Sequence, residues 1–381
     1  MFPKGGVFFF SHPKTTDSPY THKEDDMRGK SFIIGTLVLL LVCVGALNIG
    51  AGKADAAEKA IKWKMQTHWP ASSPSFAASA QVLVKTLKEN TNGRLEIELF
   101  PADALVPSKE LFNAVKRGMM EIVITSSAYP RDQVPLMDVC SGLPMNFDSP
   151  WEAAYFHKEM GFDKMVSDAF AQHGLYYWPD KVYPTELSLK KPVRKFEDFK
   201  GLKLRSSGIL QVYLTSLGAA AMMLPGSEIY AALTSGVVDG AHWGAVQGSN
   251  SMGFYEVSKF HLRPALNVAA TDIVLINMKA MGALPADIQQ IVRKTLEEHF
   301  WERTKEYEIL EANAMTKVQK EKGVELIQLG QEDVKKMEAA AMALWDDVAK
   351  RHPDNAKAVQ MLKDFHASDK SSEVKKLKDS H

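Results

Sequence analysis

Residues 109–121 read KELFNAVKRGMME, and a matching run, SEIYAALTSGVVD, occupies residues 227–239. In both runs an acidic, an aliphatic and an aromatic residue precede a glycine in the same order, and two apolar residues and an acid follow it. This spacing predicts a helix that ends at the glycine and leads into a strand. Ser108 and Ser227 stand at or near the helix starts, where serine caps free N–H groups. Because the copies lie too far apart for a solenoid repeat, they predict two similar α/β lobes.

The segments after the two copies are expected to face each other across the space between the lobes. Residues 122–129 read IVITSSAY, a short strand that ends in hydroxyl groups, and residues 240–244 read GAHWG. An aromatic wall with a few aimed polar groups is how proteins hold a small polar ligand. A core position is the alternative for Trp243, but the glycines around it indicate close backbone approach. We therefore place four residues at a ligand site: Ser126, Ser127, His242 and Trp243.

Residues 198–208 read DFKGLKLRSSG and predict a turn, a short strand and a helix start. Gly201 marks the turn, and alternating leucine and basic residues have the period of a strand. Arg205 thus lies at a strand end, where open α/β sheets bind ligands. A guanidinium there can bind a carboxylate through two parallel hydrogen bonds. An ordinary surface arginine is the alternative interpretation of this stretch alone.

The start of the folded region predicts a βαβ unit, with a strand over residues 61–68. His68 and Trp69 fall where that strand ends, a place suited to ligand contact, although Trp69 is equally compatible with a core position. We also assign to the site Tyr183, on a strand over residues 182–189 that is expected to cross to the second lobe. Phe147 is included as well, at the end of a turn-rich loop.

Composition excludes some classes of protein. The 381 residues carry 46 basic and 46 acidic side chains, which is not the charge of a nucleic-acid binder or a basic membrane-surface protein. The motifs CxxC, HExxH, GxSxG and the phosphate-binding loop do not occur in the sequence. Of the two cysteines, Cys43 lies in the leader described next, so Cys140 is left without a disulfide partner.

The N-terminal region predicts a secretory signal peptide. Residues 27–30, MRGK, are a positive segment, residues 33–47 are apolar, and residues 54–56, ADA, are a cleavage signal. The apolar run is short for the alternative, a permanent membrane anchor. We expect the mature protein to begin near Ala57 and to be exported. Met27 is the candidate for the true start, with residues 1–26 as an upstream extension.

With these residues in hand, the chain resembles the solute-binding proteins of tripartite ATP-independent periplasmic (TRAP) transporters over residues 62–363. The matching segments are residues 92–94 with 100–101, 110–118, 196–205, 236–240, 254–259 and 284–285. The resemblance implies an α/β, two-lobed periplasmic binding protein fold with a long bridging helix. That helix is expected from Ala286 to about Lys322, since Pro285 and Gly323 flank it.

The expected division has three parts. Residues 1–56 are the extension and signal peptide. Residues 57–182 with 271–310 form lobe I, and residues 183–270 with 311–381 form lobe II.

The resemblance also implies roles for single residues. Arg205 pairs with the ligand carboxylate, and Trp243 touches the ligand and indicates the subgroup for small 2-oxo and 2-hydroxy monocarboxylates. His242 stands where members often carry an acid that helps to hold a metal ion. Thr185 and Glu186 stand where many members carry a second arginine. A lone arginine fits a monocarboxylate, while Glu186 is a candidate receiver of an amine or a cation. A metal ion is left open, because no clear set of metal ligands stands out.

The sequence therefore predicts a periplasmic protein that captures a small organic acid and delivers it to a TRAP membrane permease. We expect hinge closure around the carboxylate, no cofactor, no nucleic acid partner and no chemical reaction. The alternative is an exported enzyme acting on a small organic acid, with His242 and Glu186 as its acid/base pair.

Overall fold

A nine-stranded mixed sheet organises residues 59–381, the part of the chain that the computed structural model describes. Its strands are β1 (Ile61–Thr67), β2 (Leu95–Phe100), β3 (Ile122–Ser126), β4 (Leu175–Leu189), β5 (Lys203–Arg205), β6 (Ala220–Met222), β7 (Gly240–Ala241), β8 (Phe260–Asn277) and β9 (Glu325–Gln328). They lie in the order β2-β1-β3-β8-β4-β7-β5-β6, and β9 pairs with β8. The predicted signal peptide and upstream extension lie outside the described residues.

Helices flank this sheet. They are α1 (Val82–Asn90), α2 (Leu111–Lys116), α3 (Met137–Cys140), α4 (Pro150–Lys158), α5 (Phe162–Ala171), α6 (Gly208–Ser216), α7 (Ile229–Ser235), α8 (Val246–Ser251), α9 (Phe254–Val257), α10 (Met278–Gly282), α11 (Ala286–Lys322), α12 (Gln331–Arg351), α13 (Pro353–Ala367) and α14 (Ser371–Ser380). Within residues 59–381, none of these helices combines the length and the apolar character that a membrane span requires.

The repeated sequence pattern forms equivalent units, as predicted. Helices α2 and α7 are followed by Gly118 and Gly236, whose φ angles of +72° and +78° are left-handed and favour glycine. Strands β3 and β7 come next. In lobe I, β1 lies between β2 and β3 with parallel pairing, and in lobe II, β5 lies in the same way between β6 and β7. The two-lobed α/β architecture is thus confirmed.

Two long antiparallel strands join the lobes. Strand β4 has 15 residues and β8 has 18, and they pair from Leu175 with Asn277 to Leu189 with Phe260. The sequence predicted that the connecting strand covers only residues 182–189. Instead β4 runs through Asp180 and Lys181, with a register shift between Pro179 and Lys181. Burial of these charged residues is tolerated because they pair with each other and with their neighbours.

The predicted long helix is α11, which spans 37 residues or about 55 Å. It begins after Pro285 and ends at Gly323, whose φ is +63°. It packs against α1 in lobe I, against the connecting strand β4 and against α8 in lobe II. The helix therefore extends along both lobes, as expected.

The C-terminal helices differ from the prediction. Helix α14 buries Leu377, and Lys378 forms an ion pair with Glu308 on α11. Helix α13 contacts α3 and α14 contacts α4, both in lobe I, while α12 contacts α6 in lobe II. The C-terminal region, which the sequence placed with lobe II, therefore bridges the two lobes.

Candidate functional site

A cavity opens between the lobes, where β1, β3, β5 and β7 end against the middle of β4 and β8. Its lining combines aromatic, hydroxyl and charged groups, among them His68, Trp69, Ser126, Ser127, Tyr129, Lys181, Tyr183, Arg205, His242, Trp243, Gln247, Asp272 and Tyr307. The cavity volume is about 80 Å³. Since a water-sized group needs about 10–15 Å³ of such space, the cavity accommodates roughly five to eight non-hydrogen atoms.

Arg205 ends strand β5 and is only 2% exposed. Its Nε donates to the Leu224 carbonyl at 2.9 Å, and its Nη1 donates to the His242 carbonyl at 3.0 Å. Among the described residues no carboxylate pairs with it, and Nη2 makes no hydrogen bond. Burial lowers the pKa of the guanidinium, which the nearby hydroxyls of Tyr129 and Tyr183 oppose. A buried guanidinium that is held by two hydrogen bonds, and whose Nη2 group makes none, is suited to bind an anion.

Trp243 forms one wall of the cavity and is held closely by glycines. A Cβ on Gly226 would lie 2.3 Å from the indole ring, and a Cβ on Gly248 would lie 2.0 Å from the Trp243 carbonyl oxygen. The Arg205 guanidinium lies 5.6 Å from the indole centroid, and the His68 ring lies 6.0 Å from it. The close approach to Trp243 is therefore made by Gly226 and Gly248, whereas the glycines that flank it in the sequence, Gly240 and Gly244, lie against other residues.

The environment of the His242 ring does not suit it to proton transfer. Its Nε2 shares a 2.9 Å hydrogen bond with the Ser206 hydroxyl. Burial first, and then the charge of Arg205, hold the pKa of His242 well below its usual range. The imidazole is therefore neutral near pH 7, and its contribution to the site is the backbone carbonyl that fixes Arg205.

The lobe I side of the cavity carries the predicted hydroxyls. Ser127 Oγ donates to the Thr271 carbonyl at 2.6 Å, while Ser126 Oγ accepts from the Ala128 amide at 3.3 Å. His68 and Trp69 lie beside each other at the end of β1, with ring centroids 5.2 Å apart. The structure thus brings eight of the ten predicted site residues to the cavity: Arg205, Trp243, His242, Tyr183, His68, Trp69, Ser126 and Ser127.

Glu186 and Phe147 do not line this cavity. Glu186 binds His261 Nε2 at 2.7 Å and Arg263 Nε at 3.0 Å, on the other side of β4. Burial raises the pKa of Glu186, but the hydrogen bond from His261 and the charge of Arg263 bring it below its usual range. Phe147 packs in the core with its ring 5.2 Å from that of Phe365. Glu186 is thus engaged elsewhere, which separates it from His242.

The sequence reasoning missed Lys181 and Asp272. Lys181 Nζ donates to Asp180 Oδ2 at 2.8 Å and to Asp272 Oδ2 at 3.1 Å, and Asp272 Oδ1 binds His68 Nε2 at 3.0 Å. A signal for Lys181 was present, because Asp180 and Lys181 are an adjacent acid and base inside an apolar stretch, and such residues are rarely buried unless paired.

A match to a family model shows which protein family the chain belongs to. Residues 65–352 match the family described as bacterial extracellular solute-binding protein, family 7. The chain belongs to this family. The resemblance to TRAP solute-binding proteins is therefore confirmed. Because the family consists of solute receptors, the alternative of an exported enzyme is not supported.

Curated relatives agree with this assignment. A monocarboxylate 2-oxoacid-binding periplasmic protein of Nostoc is 28% identical over 288 residues, which cover 75% of this chain and 78% of that protein. A C4-dicarboxylate-binding periplasmic protein of Rhodobacter capsulatus is 28% identical over 265 residues, covering 68% of this chain and 75% of that protein.

Solved structures share the fold. A TRAP transporter solute-binding protein of Bordetella bronchiseptica, with calcium and picolinate bound, superposes with a TM-score of 0.77 at 22% identity, covering 84% of this chain and 96% of that one. A TRAP periplasmic solute-binding protein of Pseudoalteromonas atlantica, with sodium and pyruvate bound, gives a TM-score of 0.75 at 22% identity, covering 81% and 94%.

Proposed function

We propose that this protein binds a small monocarboxylate, a 2-oxo or 2-hydroxy acid, between its lobes and delivers it to a TRAP membrane permease from the periplasm. The observation that carries the proposal is the buried Arg205, which lines the cavity, makes no hydrogen bond through Nη2 and has no carboxylate partner among the described residues. A buried cation is costly unless it is paired with an anion, and a ligand carboxylate is a suitable partner.

The charges around the cavity favour an acid with one carboxylate. Histidines aside, its charged lining residues are Arg205, Lys181 and Asp272, two cations and one anion. Lys181 already pairs with the carboxylates of Asp180 and Asp272. Arg205 is therefore the cavity-lining cation that has no carboxylate partner among the described residues, and one ligand carboxylate supplies that partner. The small cavity volume and the name of the Nostoc relative support the same class of ligand.

The proposed transport role rests on the family and on the architecture. The long strands β4 and β8 and the helix α11 connect the lobes and are suited to bending when the lobes close. Export through a cleaved signal peptide is part of the proposal. N-terminal sequencing of protein from a periplasmic extract tests it, and a mature chain that retains residues 33–47 would contradict it.

The ligand is tested in two steps. Mass spectrometry of small molecules released from denatured, freshly purified protein should identify an acid with a single carboxylate. Calorimetric titration of ligand-free protein should then show binding of pyruvate or lactate and much weaker binding of succinate. Binding of succinate alone, or of none of these acids, would overturn the proposed ligand class.

A further inference from the structure

Lys181 holds a second positive charge at the cavity wall. It is 1% exposed, and its Nζ lies 4.4 Å from the Trp69 ring centroid and 5.1 Å from that of Tyr183. Both rings also line the cavity. An ammonium group has three N–H donors. Asp180 and Asp272 accept two of them, which leaves one donor for a ligand.

The two aspartates hold this ammonium in place. Asp180 Oδ1 binds His299 Nε2 at 3.0 Å and accepts from the Ser79 hydroxyl, so it is anchored to α11. Asp272 is anchored through His68 at the end of β1. Burial raises the pKa of both carboxyls, but Lys181 and the histidines bring it below its usual range, so both are ionised. A long side chain fixed by two ionised partners is a preorganised hydrogen-bond donor.

The residues around the cavity do not fit a metal ion of the kind seen with two of the structural relatives. Among residues 59–381, no three His, Cys, Asp or Glu side chains lie close enough together to hold a metal. Asp272 is the one acidic residue in the described cavity lining, and both of its oxygens are already engaged by Lys181 and His68. Metal ions such as calcium require several oxygen ligands.

We propose that the Lys181 ammonium donates its third N–H to the oxygen on carbon 2 of the bound acid, while Arg205 binds the carboxylate, and that this fixed charge takes the place of a metal ion. The inference rests on the proposed function and deepens it. Lys181 is then the residue that distinguishes a 2-oxo acid from a plain carboxylic acid of the same length, because without a ligand oxygen its last donor stays unpaired.

The test compares pyruvate with propionate, which lacks the oxygen on carbon 2. We expect wild-type protein to bind pyruvate about 10- to 100-fold more tightly, the size of one hydrogen bond to a charged group. In the double variant Lys181→Met with Asp272→Asn, a cation and an anion are removed together, so the net charge of the cavity is kept. Its preference for pyruvate over propionate should fall below threefold.

Lys158→Met is the matched control. Lys158 is also largely buried, pairs with Asp163 at 3.1 Å and Glu297 at 2.8 Å, and lies 4.5 Å from the Phe300 ring centroid, but it does not line the cavity. It should lower the melting temperature and leave the pyruvate preference unchanged. A folded double variant that keeps the wild-type preference would overturn the inference.

Measurements on wild-type protein decide the matter if the double variant fails to fold. Pyruvate affinity should be the same within threefold after treatment with EDTA, with calcium added, and with sodium replaced by potassium. A rise of more than tenfold with either metal, or equal affinity for pyruvate and propionate, would overturn the inference and leave the proposed acid binding intact. Protein that binds neither acid would overturn the proposed function as well.

Discussion

Arg205 is the residue on which ligand affinity should depend most. Removal of one member of a buried ion pair costs about 3–5 kcal/mol, so Arg205→Ala should raise the dissociation constant for pyruvate by roughly two to four decades. Arg205→Lys should not restore full affinity, because an ammonium cannot bind the Leu224 and His242 carbonyls and a carboxylate in the same planar arrangement. Calorimetric titration measures both variants, after circular dichroism confirms their fold. Arg205→Ala protein within threefold of wild-type affinity would show that the carboxylate binds elsewhere.

Gly226 offers a second test at the scale of single residues. A Cβ at this position would approach the Trp243 ring to 2.3 Å, so Gly226→Ala should displace the indole, alter its fluorescence and weaken pyruvate binding. We expect the free energy of pyruvate binding to become less favourable by about 1–3 kcal/mol, the range for overpacking a well-filled site. Gly282→Ala, at the end of α10, is the control, because nothing lies within 4 Å of its added Cβ. Equal behaviour of the two variants would argue against a tightly seated Trp243.

At the scale of elements, Glu311 on α11 links the long helix to α8. Its carboxyl accepts from the Val246 amide at 3.1 Å and the Gln247 amide at 2.9 Å, at the start of α8. Burial raises the pKa of Glu311 to about 7, although the Gln247 amide lowers it, and the charge of Glu186 raises it further. The folded protein therefore holds this proton more tightly than the unfolded chain does.

The sign of the pH effect follows from this difference. Below the unfolded pKa, near 4.5, both states are protonated and the stabilisation is fully present. It is lost as the pH rises to about 7, and at about 1.4 kcal/mol per pH unit the loss is on the order of 3 kcal/mol. His242, whose pKa is lowered, acts in the opposite direction below pH 6.5. The carboxyls of Asp180 and Asp272, whose pKa is also lowered, titrate below this window.

The variant Glu311→Gln isolates this contribution. Gln keeps an oxygen that can accept from the α8 amides but does not titrate. The free energy of unfolding of both proteins is measured with urea at pH 5 and pH 8. The difference, wild type minus variant, should be smaller at pH 8 than at pH 5. A difference that is the same at both pH values would mean that Glu311 has an ordinary pKa.

At the scale of the whole molecule, contacts already join the lobes across the cleft. Ser227 Oγ donates to Asp103 Oδ2 at 3.2 Å, and Asp103 Oδ1 accepts from the amide and hydroxyl of Ser108. One aspartate therefore binds the starts of both repeated helix units. The lobes are thus in contact across the cleft in the described conformation, and we expect ligand-free protein to open by bending of the segments that join the lobes.

Closure is measured by small-angle scattering with and without pyruvate. We expect a smaller radius of gyration with saturating pyruvate, because the lobes approach each other. The melting temperature should rise as well, since a ligand at 100 times its dissociation constant stabilises the folded state by about 2.7 kcal/mol. Identical scattering profiles with a raised melting temperature would show binding to a rigid molecule.

The sequence alone determined the features that depend on local pattern. The repeated runs ending at Gly118 and Gly236 predicted two lobes, since a helix stop needs only a nearby left-handed glycine. Pro285 and Gly323 bounded α11 at the residues observed. Arg205 at a strand end was likewise visible, because alternation and a turn are local signals.

Only the tertiary structure decided which charges meet. Lys181 reaches Asp272, and Glu186 reaches His261, because β4 and β8 pair antiparallel over their whole length with three shifts of register. Along β4 a shift of one residue moves a side chain to the opposite face of the sheet. The register shift after Pro179 therefore determines that the Lys181 side chain lines the cavity. Two further shifts lie on either side of Thr185, next to Glu186, whose side chain does not line the cavity. Such shifts arise from long-range strand pairing, which local periodicity does not encode.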